Sequence, residues 1–269
     1  FEIYRVNPPL SRMIAAIPAT WIFKLEADWL PSASQALGHR TEFTTGGSLF
    51  TKNDPLDVQY ALAFGRLALL PLSLFGACVC YRWASDLYGC TSGRLAMAIW
   101  CFSPTVLTWA ATVGPDLTSA AFGAFGFYCF WKWCREPDWT KALFAGVAGG
   151  LMLLSKGTWL VLFIAWPLIG FFYAFREPWH CCRKRTLQLA STLVVAIVVL
   201  NAGYSFIGSG RQLNSFTFVS RTLAGAAIDN GSAGGNRFES SWFGLVPVRL
   251  PEDYVIGIDL QKRDFERGI

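Results

Sequence analysis

Residues 142–175 read ALFAGVAGGLMLLSKGTWLVLFIAWPLIGFFYAF, an apolar stretch in which Lys156 is the only charged residue. One helix of this length would extend about 51 Å, whereas the hydrocarbon core of a bilayer is about 30 Å thick. The stretch therefore predicts two membrane-spanning helices that meet at Lys156 and Gly157.

The composition of the whole chain supports a membrane protein. Of the 269 residues, 53% are hydrophobic and 15% are charged, whereas a soluble domain carries about 25% charged residues. This apolar excess excludes a disordered chain and argues against an ordinary soluble enzyme. The eight cysteines fall in predicted spans or in loops assigned below to the cytoplasm, so we expect no disulfide scaffold. The fold class that we predict is an all-α polytopic membrane protein.

Six stretches approach the roughly 20 apolar residues that a membrane-spanning helix needs. They define a predicted transmembrane domain over residues 59–207. The predicted spans are 59–81, 95–114, 117–133, 142–155, 157–175 and 187–207.

Two segments flank this domain. Residues 1–58 contain an apolar run at 11–25 that is short for a span, so we predict a helix lying on the outer membrane surface. Residues 31–58 are rich in Pro, Gly, Ser and Thr and predict a loop. Residues 208–269 predict an outer loop that precedes a further span. Because the chain begins with Phe1, we expect a fragment, with hydrophobic sequence before it and more chain after it.

The charges predict the orientation. Three loops, at 82–94, 132–141 and 176–185, together hold nine Lys or Arg and four acidic residues. Short loops rich in Lys and Arg stay in the cytoplasm. The net charge of +5 therefore reflects orientation in the membrane, and we expect membrane lipids and no nucleic acid among the partners.

Three charged residues lie in or at the edge of the predicted spans: Arg66, Asp116 and Lys156. A charge at mid-bilayer costs about 2.5–3.5 kcal/mol on insertion scales, so such residues are functional candidates. In the orientation above, all three converge on the outer leaflet. One acid and two bases there suit a phosphate or pyrophosphate group carried by a lipid.

Structural roles for the same residues are the alternatives. Asp116 follows Gly114 and Pro115 and is placed to cap the third span. Lys156 is placed to extend to the membrane interface beside Trp159. Arg66 is placed to pair with an acid of a neighbouring span. Separately, the small residues at 145–150 predict close helix packing.

Four motifs follow one another along the chain. They are NPPLSRMIAAIP at 7–18, FGRLALLPLSLF at 64–75, SPTVLTWAATVGPDLTSAAF at 103–122 and GGLMLLSKGTWLVLF at 149–163. In this order and with matching sidedness, they resemble GT-C membrane glycosyltransferases of family 39. This family includes protein O-mannosyltransferases and lipid A aminoarabinose transferases. A further stretch, PEDYVIGIDLQKRDFERG at 251–268, resembles the loop before a later span in bacterial members.

The resemblance implies an inverting enzyme in the cell membrane. It would move a sugar from a polyprenyl-phosphate donor to a hydroxyl of a protein, lipid or glycan acceptor on the outer, extracytoplasmic face. It implies no cofactor beyond this donor and no metal. The base on the acceptor is an acid of the first outer loop, usually in an Asp-Glu pair. That pair would precede residue 1, so the fragment is expected to be inactive.

The resemblance also assigns roles by position. Asp116 matches an acidic position and is the catalytic candidate, supporting the acceptor or orienting a cation. Lys156 and Arg66 match cationic positions that stabilise the phosphate leaving group. Asn7 and Arg12 fall on the acceptor side, and Asn7 stands where the family usually has His or Lys.

Two other functions use the same residues. A transporter or lipid flippase would use the outer charges for its substrate, and it would show repeated halves or helices broken near the bilayer midplane. A non-catalytic membrane scaffold is the third alternative. The sequence has no internal repeat and places its intramembrane charges at one face, which favours the enzyme.

Overall fold

The computed structural model describes residues 6–28, 41–174, 179–225 and 234–268. Regular secondary structure in these ranges is helical, with two isolated antiparallel β-bridges. The α-helices are α1 (Leu10–Ile22), α2 (Thr41–Lys52), α3 (Pro55–Leu67), α4 (Leu70–Tyr88), α5 (Cys90–Phe102), α6 (Pro104–Ala110), α7 (Pro115–Arg135), α8 (Trp139–Ser155), α9 (Leu162–Ala174), α10 (Trp179–Gly203), α11 (Arg221–Ala224) and α12 (Glu252–Glu266).

The chain divides into two compact units. A central unit comprises Pro9–Phe23 and Ala61–Leu200. A terminal unit comprises Phe1–Pro8, Lys24–Tyr60 and Asn201–Ile269.

The central unit has the character of a membrane domain. Its helices expose large apolar side chains, as lipid-facing helices do: Leu74, Leu95, Ile99, Phe102 and Phe172 are each at least 63% exposed. Among the described residues, two helical stretches are long and apolar enough to cross a membrane by length and composition, Pro55–Tyr88 and Cys182–Gly203. Shorter apolar helices cover Trp139–Ser155 and Gly157–Tyr173.

The predicted break at Lys156 is confirmed. Helix α8 ends at Ser155, Lys156 is extended, and a 3₁₀ turn over Gly157–Val161 leads into α9. The third predicted span is also helical, as α7. It begins at Pro115, whose fixed φ suits a first helical position and whose missing amide costs no helical hydrogen bond there.

Other boundaries differ from the prediction because proline and glycine act locally. The first predicted span, 59–81, consists of α3 and α4, with a tight turn at Ala68 and Leu69 before Pro71. The second, 95–114, is interrupted at Ser103, which is extended ahead of Pro104.

The predicted loops between the spans are shorter in the structure. The prediction of a loop over 82–94 is wrong, since α4 continues to Tyr88 and α5 begins at Cys90. Gly89 alone makes the turn, at a φ of 91° that favours glycine. Helix α10 begins at Trp179, so the helix of the sixth predicted span starts before residue 187. Residues 176–178 of the third predicted loop, and residue 175 at the end of the fifth predicted span, lie outside the described residues.

Small residues of α8 allow α10 to pack closely, which confirms the packing prediction for 145–150. A Cβ on Gly146 would lie 2.7 Å from Cβ of Val195, and one on Gly150 would lie 2.4 Å from Cβ of Val199. At the same interface the Thr192 hydroxyl donates to the backbone oxygen of Ala142 at 3.0 Å. Close backbone approach of this kind is how apolar helices associate where burial alone gives no driving force.

The terminal unit is more structured than predicted. Residues 41–52, predicted as loop, form α2, and Asn53 beyond it hydrogen-bonds both backbone groups of Glu26 at 2.7 and 2.8 Å. The predicted loop over 208–269 contains α11 and α12 around a small core of Phe216, Phe218 and Ala224. Helix α12 was missed, although two acids open its first turn, where they complement the helix dipole.

Candidate functional site

The central feature of the site is an ion pair between two of the predicted residues. Lys156 Nζ donates to Asp116 Oδ1 at 2.8 Å, and the side chains are 33% and 32% exposed. Asp116 lies in the first turn of α7, and Lys156 lies in the extended break after α8. The predicted convergence of charges thus holds for Asp116 and Lys156, and their location at the outer leaflet stays a prediction.

The purely structural roles considered for Asp116 and Lys156 were helix capping and contact with the membrane interface. Gly114 occupies the N-cap of α7, and within the described ranges Asp116 makes no hydrogen bond to a backbone amide. Its carboxylate is still stabilised by the positive end of the helix dipole. The alternative for Lys156 was a side chain that only reaches the membrane interface. Its ammonium instead contacts the Asp116 carboxylate. Solvent reaches the pair, since each side chain is about one third exposed.

A second contact holds the Lys156 turn against α7. The Trp159 indole Nε1 donates to Ser119 Oγ at 2.8 Å, one helical turn beyond Asp116. The ring lies over Gly123, where a Cβ would come within 2.5 Å of Trp159 Cζ2. Phe127 packs edge-on against the same ring, with centroids 5.7 Å apart. Sequence reasoning missed Ser119, although its i, i+3 spacing from Asp116 places it on the same helix face.

An aromatic core lies deeper along α7 and supports this arrangement. Trp166 of α9 is fully buried and stacks on Phe130 with centroids 4.5 Å apart and an interplanar angle of 5°. Trp133 donates from Nε1 to Gln188 Oε1 of α10 at 3.1 Å. These contacts fix α7 against the two helices that follow Lys156, so the ion pair sits at one end of a rigid core.

Helix α1 belongs to the same unit and brings the first motif to this core. It packs against α7 and α8, and Gly65 of α3 approaches it so closely that a Cβ would lie 3.1 Å from the backbone oxygen of Ala15. Ser11 at its start is 2% exposed. The helix is therefore confirmed, whereas its location on a membrane surface stays a prediction.

The remaining predicted residues belong to other elements. Arg66 is exposed near the end of α3, and no ion pair to its guanidinium occurs among the described residues. Arg12 of α1, in the central unit, is half-buried and has a partner; Asn7, in the terminal unit, is likewise half-buried and partnered. The structure thus brings Asp116 and Lys156 together, and Arg66 forms no ion pair with this acid.

The described part of the chain contains no group of three or more His, Cys, Asp or Glu side chains arranged to hold a metal ion. The pair itself supplies one ammonium and one carboxylate. A lysine ammonium is a compact charge that binds phosphate well, and an ionised carboxylate accepts hydrogen bonds from hydroxyl groups.

Comparison with known proteins identifies the family. The family model described as dolichyl-phosphate-mannose-protein mannosyltransferase matches residues 65–204, a range that includes Arg66, Asp116 and Lys156. No curated protein and no solved structure matches the chain. The match confirms the resemblance found in the sequence motifs. Since it covers more than half of the chain, the protein belongs to this mannosyltransferase family of membrane glycosyltransferases.

Proposed function

We propose that this protein transfers a mannosyl group from a polyprenyl-phosphate donor to a hydroxyl acceptor, and that the Asp116–Lys156 pair handles the donor phosphate. The observation that carries the proposal is the 2.8 Å ion pair within the range matched by the family model.

The first step is binding of the donor phosphate at Lys156. The ammonium is about one third exposed, so a phosphate can reach it, and solvent screening keeps its bond to Asp116 weak enough to exchange. A phosphate brings more negative charge than one carboxylate and competes well for the same donor group.

The second step is departure of the phosphate. As the bond from the sugar to the phosphate oxygen breaks, negative charge grows on that oxygen. A fixed cation beside it stabilises this charge more in the transition state than in the ground state. Trp159 and Ser119 hold the Lys156 turn on α7, so the cation is positioned before the reaction.

Asp116 has the complementary role. When Lys156 turns to the phosphate, the carboxylate becomes free to accept a hydrogen bond from the acceptor hydroxyl or to orient a cation. Its place in the first turn of α7 puts the carboxylate at the positive end of the helix dipole. Arg66 adds a second cation in this proposal, and Arg12 and Asn7 contribute to the acceptor side.

The distribution of Lys and Arg supports an orientation with this chemistry on the extracytoplasmic face. In this arrangement residues 59–207 carry six spans, and residues 1–58 and 208–269 lie on the outer side. The donor is then a lipid of the same membrane, and the acceptor reaches the site from outside.

A transporter or lipid flippase remains the second candidate because one observation favours it. The second predicted span is broken at Ser103, close to its middle, and transporters use such discontinuous helices. The break has an ordinary local cause in Pro104, and family membership favours the transferase.

The test is transfer of labelled mannose from polyprenyl-phosphate mannose in membranes that contain this chain together with any sequence that precedes Phe1 in its gene. We expect Asp116→Asn and Lys156→Gln each to lower the rate about 100-fold or more, because removing one electrostatic stabiliser typically costs that much. Glu136→Gln is the control, since Glu136 pairs with Lys141 at 2.5 Å outside the site. Normal transfer by both site variants at unchanged protein level would refute the proposal. Donor-lipid translocation without transfer would favour the transporter.

A further inference from the structure

A cationic cavity lies in the terminal unit, in a segment with no role in the proposed chemistry. It has a volume of about 510 Å³, which is in the range of small-molecule sites. Its walls are the last turn of α12 and the segment 219–222 that leads into α11. The side chains that carry charge there are Arg221, Lys262, Arg263, Glu266 and Arg267.

Two carboxylates of α12 make one wall rigid. Asp259, which is 1% exposed, accepts hydrogen bonds from the amides of Val219 and Ser220 at 2.6 and 3.0 Å. Glu266 accepts from the amides of Arg221 and Thr222 at 2.7 and 3.1 Å. Four consecutive backbone amides are thus held by two side chains seven residues apart on one helix face.

The Glu266 carboxylate, which lines the cavity, already accepts hydrogen bonds from the protein. Glu266 also accepts from the Thr222 hydroxyl, and this hydrogen bond, followed by those from the two amides and the field of Lys262, lowers the pKa of Glu266. Its lone pairs are therefore directed at the protein's own donors. In the described ranges its hydrogen bonds go to Arg221 and Thr222, and it forms no ion pair with Lys262 or Arg267.

The cations exceed the acids in this cavity. Arg263 is buried and binds Asp264 at 2.8 Å, and Arg221 is also partnered. Lys262 stands over the Phe265 ring at 5.4 Å, and Arg267 is exposed. Neither Lys262 nor Arg267 forms an ion pair with any residue in the described ranges. An ammonium and a guanidinium near the end of one helix leave a cavity that favours an anion.

We propose that this cavity is a phosphate site for an anionic substrate of the protein. The inference rests on the proposed function for the identity of that substrate, which is either the lipid-phosphate donor or a phosphorylated acceptor. Phosphate fits because it offers several acceptor oxygens to one ammonium and one planar guanidinium at the same time.

A purely structural role for these cations makes a different prediction. Basic residues in the last turn of a helix complement the negative end of its dipole and so stabilise the helix. In that role, removing Lys262 and Arg267 would lower thermal stability without changing anion affinity. Affinity is therefore the deciding measurement, and the thermal midpoint is recorded beside it.

The experiment is calorimetric titration of the solubilised full chain with inorganic pyrophosphate. A Lys156→Gln, Arg66→Gln background removes both cations of the proposed donor site, so the binding that remains can be tested for dependence on the cavity. Each charge-assisted hydrogen bond that is lost weakens binding by about tenfold, so we expect Lys262→Gln with Arg267→Gln to weaken it more than tenfold. Arg249→Gln is the matched control, because Arg249 belongs to the same unit and lies outside the cavity.

Competition identifies the source of the phosphate. Displacement of pyrophosphate by farnesyl phosphate indicates the donor lipid, and displacement by mannose 6-phosphate indicates a phosphorylated acceptor; both support the phosphate site. Displacement by neither, or equal pyrophosphate affinity in the double variant and the control, would overturn it. Because no sugar transfer is needed, a failed transfer assay leaves this measurement intact.

Discussion

Trp159 donates from its indole Nε1 to Ser119 Oγ at 2.8 Å, and this bond ties the turn that carries Lys156 to the helix that carries Asp116. Ser119 is 7% exposed and Trp159 is half-buried, so loss of the serine hydroxyl leaves the indole without this hydrogen-bond partner. An unsatisfied buried donor costs about 1–3 kcal/mol.

We therefore expect Ser119→Ala to lower the thermal unfolding midpoint and also to reduce mannosyl transfer, because the position of Lys156 depends on this bond. Thermal unfolding and transfer are measured on the same membranes. Thr158→Ala is the control, since Thr158 is exposed next to Trp159. Equal loss in both variants would mean that the bond does not position the site.

Gly123 provides a steric test of the position of the Trp159 ring. A Cβ at this position would lie 2.5 Å from Cζ2 of Trp159, inside van der Waals contact, and Phe127 restricts movement of the ring. Gly123→Ala should displace Trp159 and reduce transfer by disturbing Lys156, even though alanine favours helix.

Gly46→Ala separates this effect from helix propensity. Gly46 lies in α2, and no neighbouring atom lies within 4 Å of the position that an added methyl group would take. Alanine there should be neutral or stabilise by up to about 1 kcal/mol. Both variants are compared by thermal unfolding. A Gly123→Ala protein that gains stability and transfers normally would show that the ring has room to move.

Exchanging the two charges of the ion pair distinguishes stability from chemistry. Asp116→Lys alone places two cations together, and Lys156→Asp alone places two acids together, so each should lower the unfolding midpoint. The double exchange restores opposite charges across the same gap and should recover part of that stability. Transfer should stay about 100-fold or more below the native rate, because the cation then stands on the wrong side of the phosphate. Recovery of transfer in the double exchange would show that the pair supports the structure and does not act on the phosphate.

The sequence predicts the Lys156 break well because the physical signal is strong there. An apolar run too long for one bilayer crossing has to turn, and Lys156 is its only charged residue. The meeting of Lys156 with Asp116 follows from the sidedness of the loops. The breaks at Leu69 and Ser103 were missed because a single proline inside an apolar run changes local geometry without changing hydropathy.

The structure of the terminal unit was harder to predict for a different reason. Helices α2 and α12 contain polar residues and glycines that individually favour loops. They are stabilised by contacts distant in sequence, such as Asn53 with Glu26 and Asp259 with the amide of Val219. Local propensity cannot report such contacts, and for the same reason the cationic cavity near Lys262 had no signal in the sequence.

Glu266 gives a pH-dependent prediction for the terminal unit. Hydrogen bonds from the Thr222 hydroxyl and from two amides lower its pKa below the ordinary value of 4.5. A group with a depressed folded-state pKa contributes stability that is fully present above its unfolded-state pKa and is lost as pH falls through the folded-state value. The amides of Arg221 and Thr222 should therefore lose protection from hydrogen exchange in acid, after correction for the intrinsic rate.

Glu266→Gln isolates this effect from Asp259, which holds the two preceding amides. The variant should show weaker protection at neutral pH, and the difference from the native protein should shrink toward zero in acid. The effect should be small because Glu266 is exposed and water screens its charge. A difference between the two proteins that is constant with pH would mean that the glutamate charge does not hold this segment.

Cys90 offers a direct test of the proposed orientation. It is exposed as the first residue of α5, next to the Gly89 turn, in the segment 82–94 that the positive-inside rule assigns to the cytoplasm. In a cysteine-free background with Cys90 restored, a membrane-impermeant maleimide should label the protein only after the cells are permeabilised. Ser209→Cys in the same background should be labelled in intact cells, because residues 208–269 are assigned to the outer side. The opposite pattern would place Asp116 and Lys156 at the cytoplasmic face, and a donor and acceptor on that side would then be required.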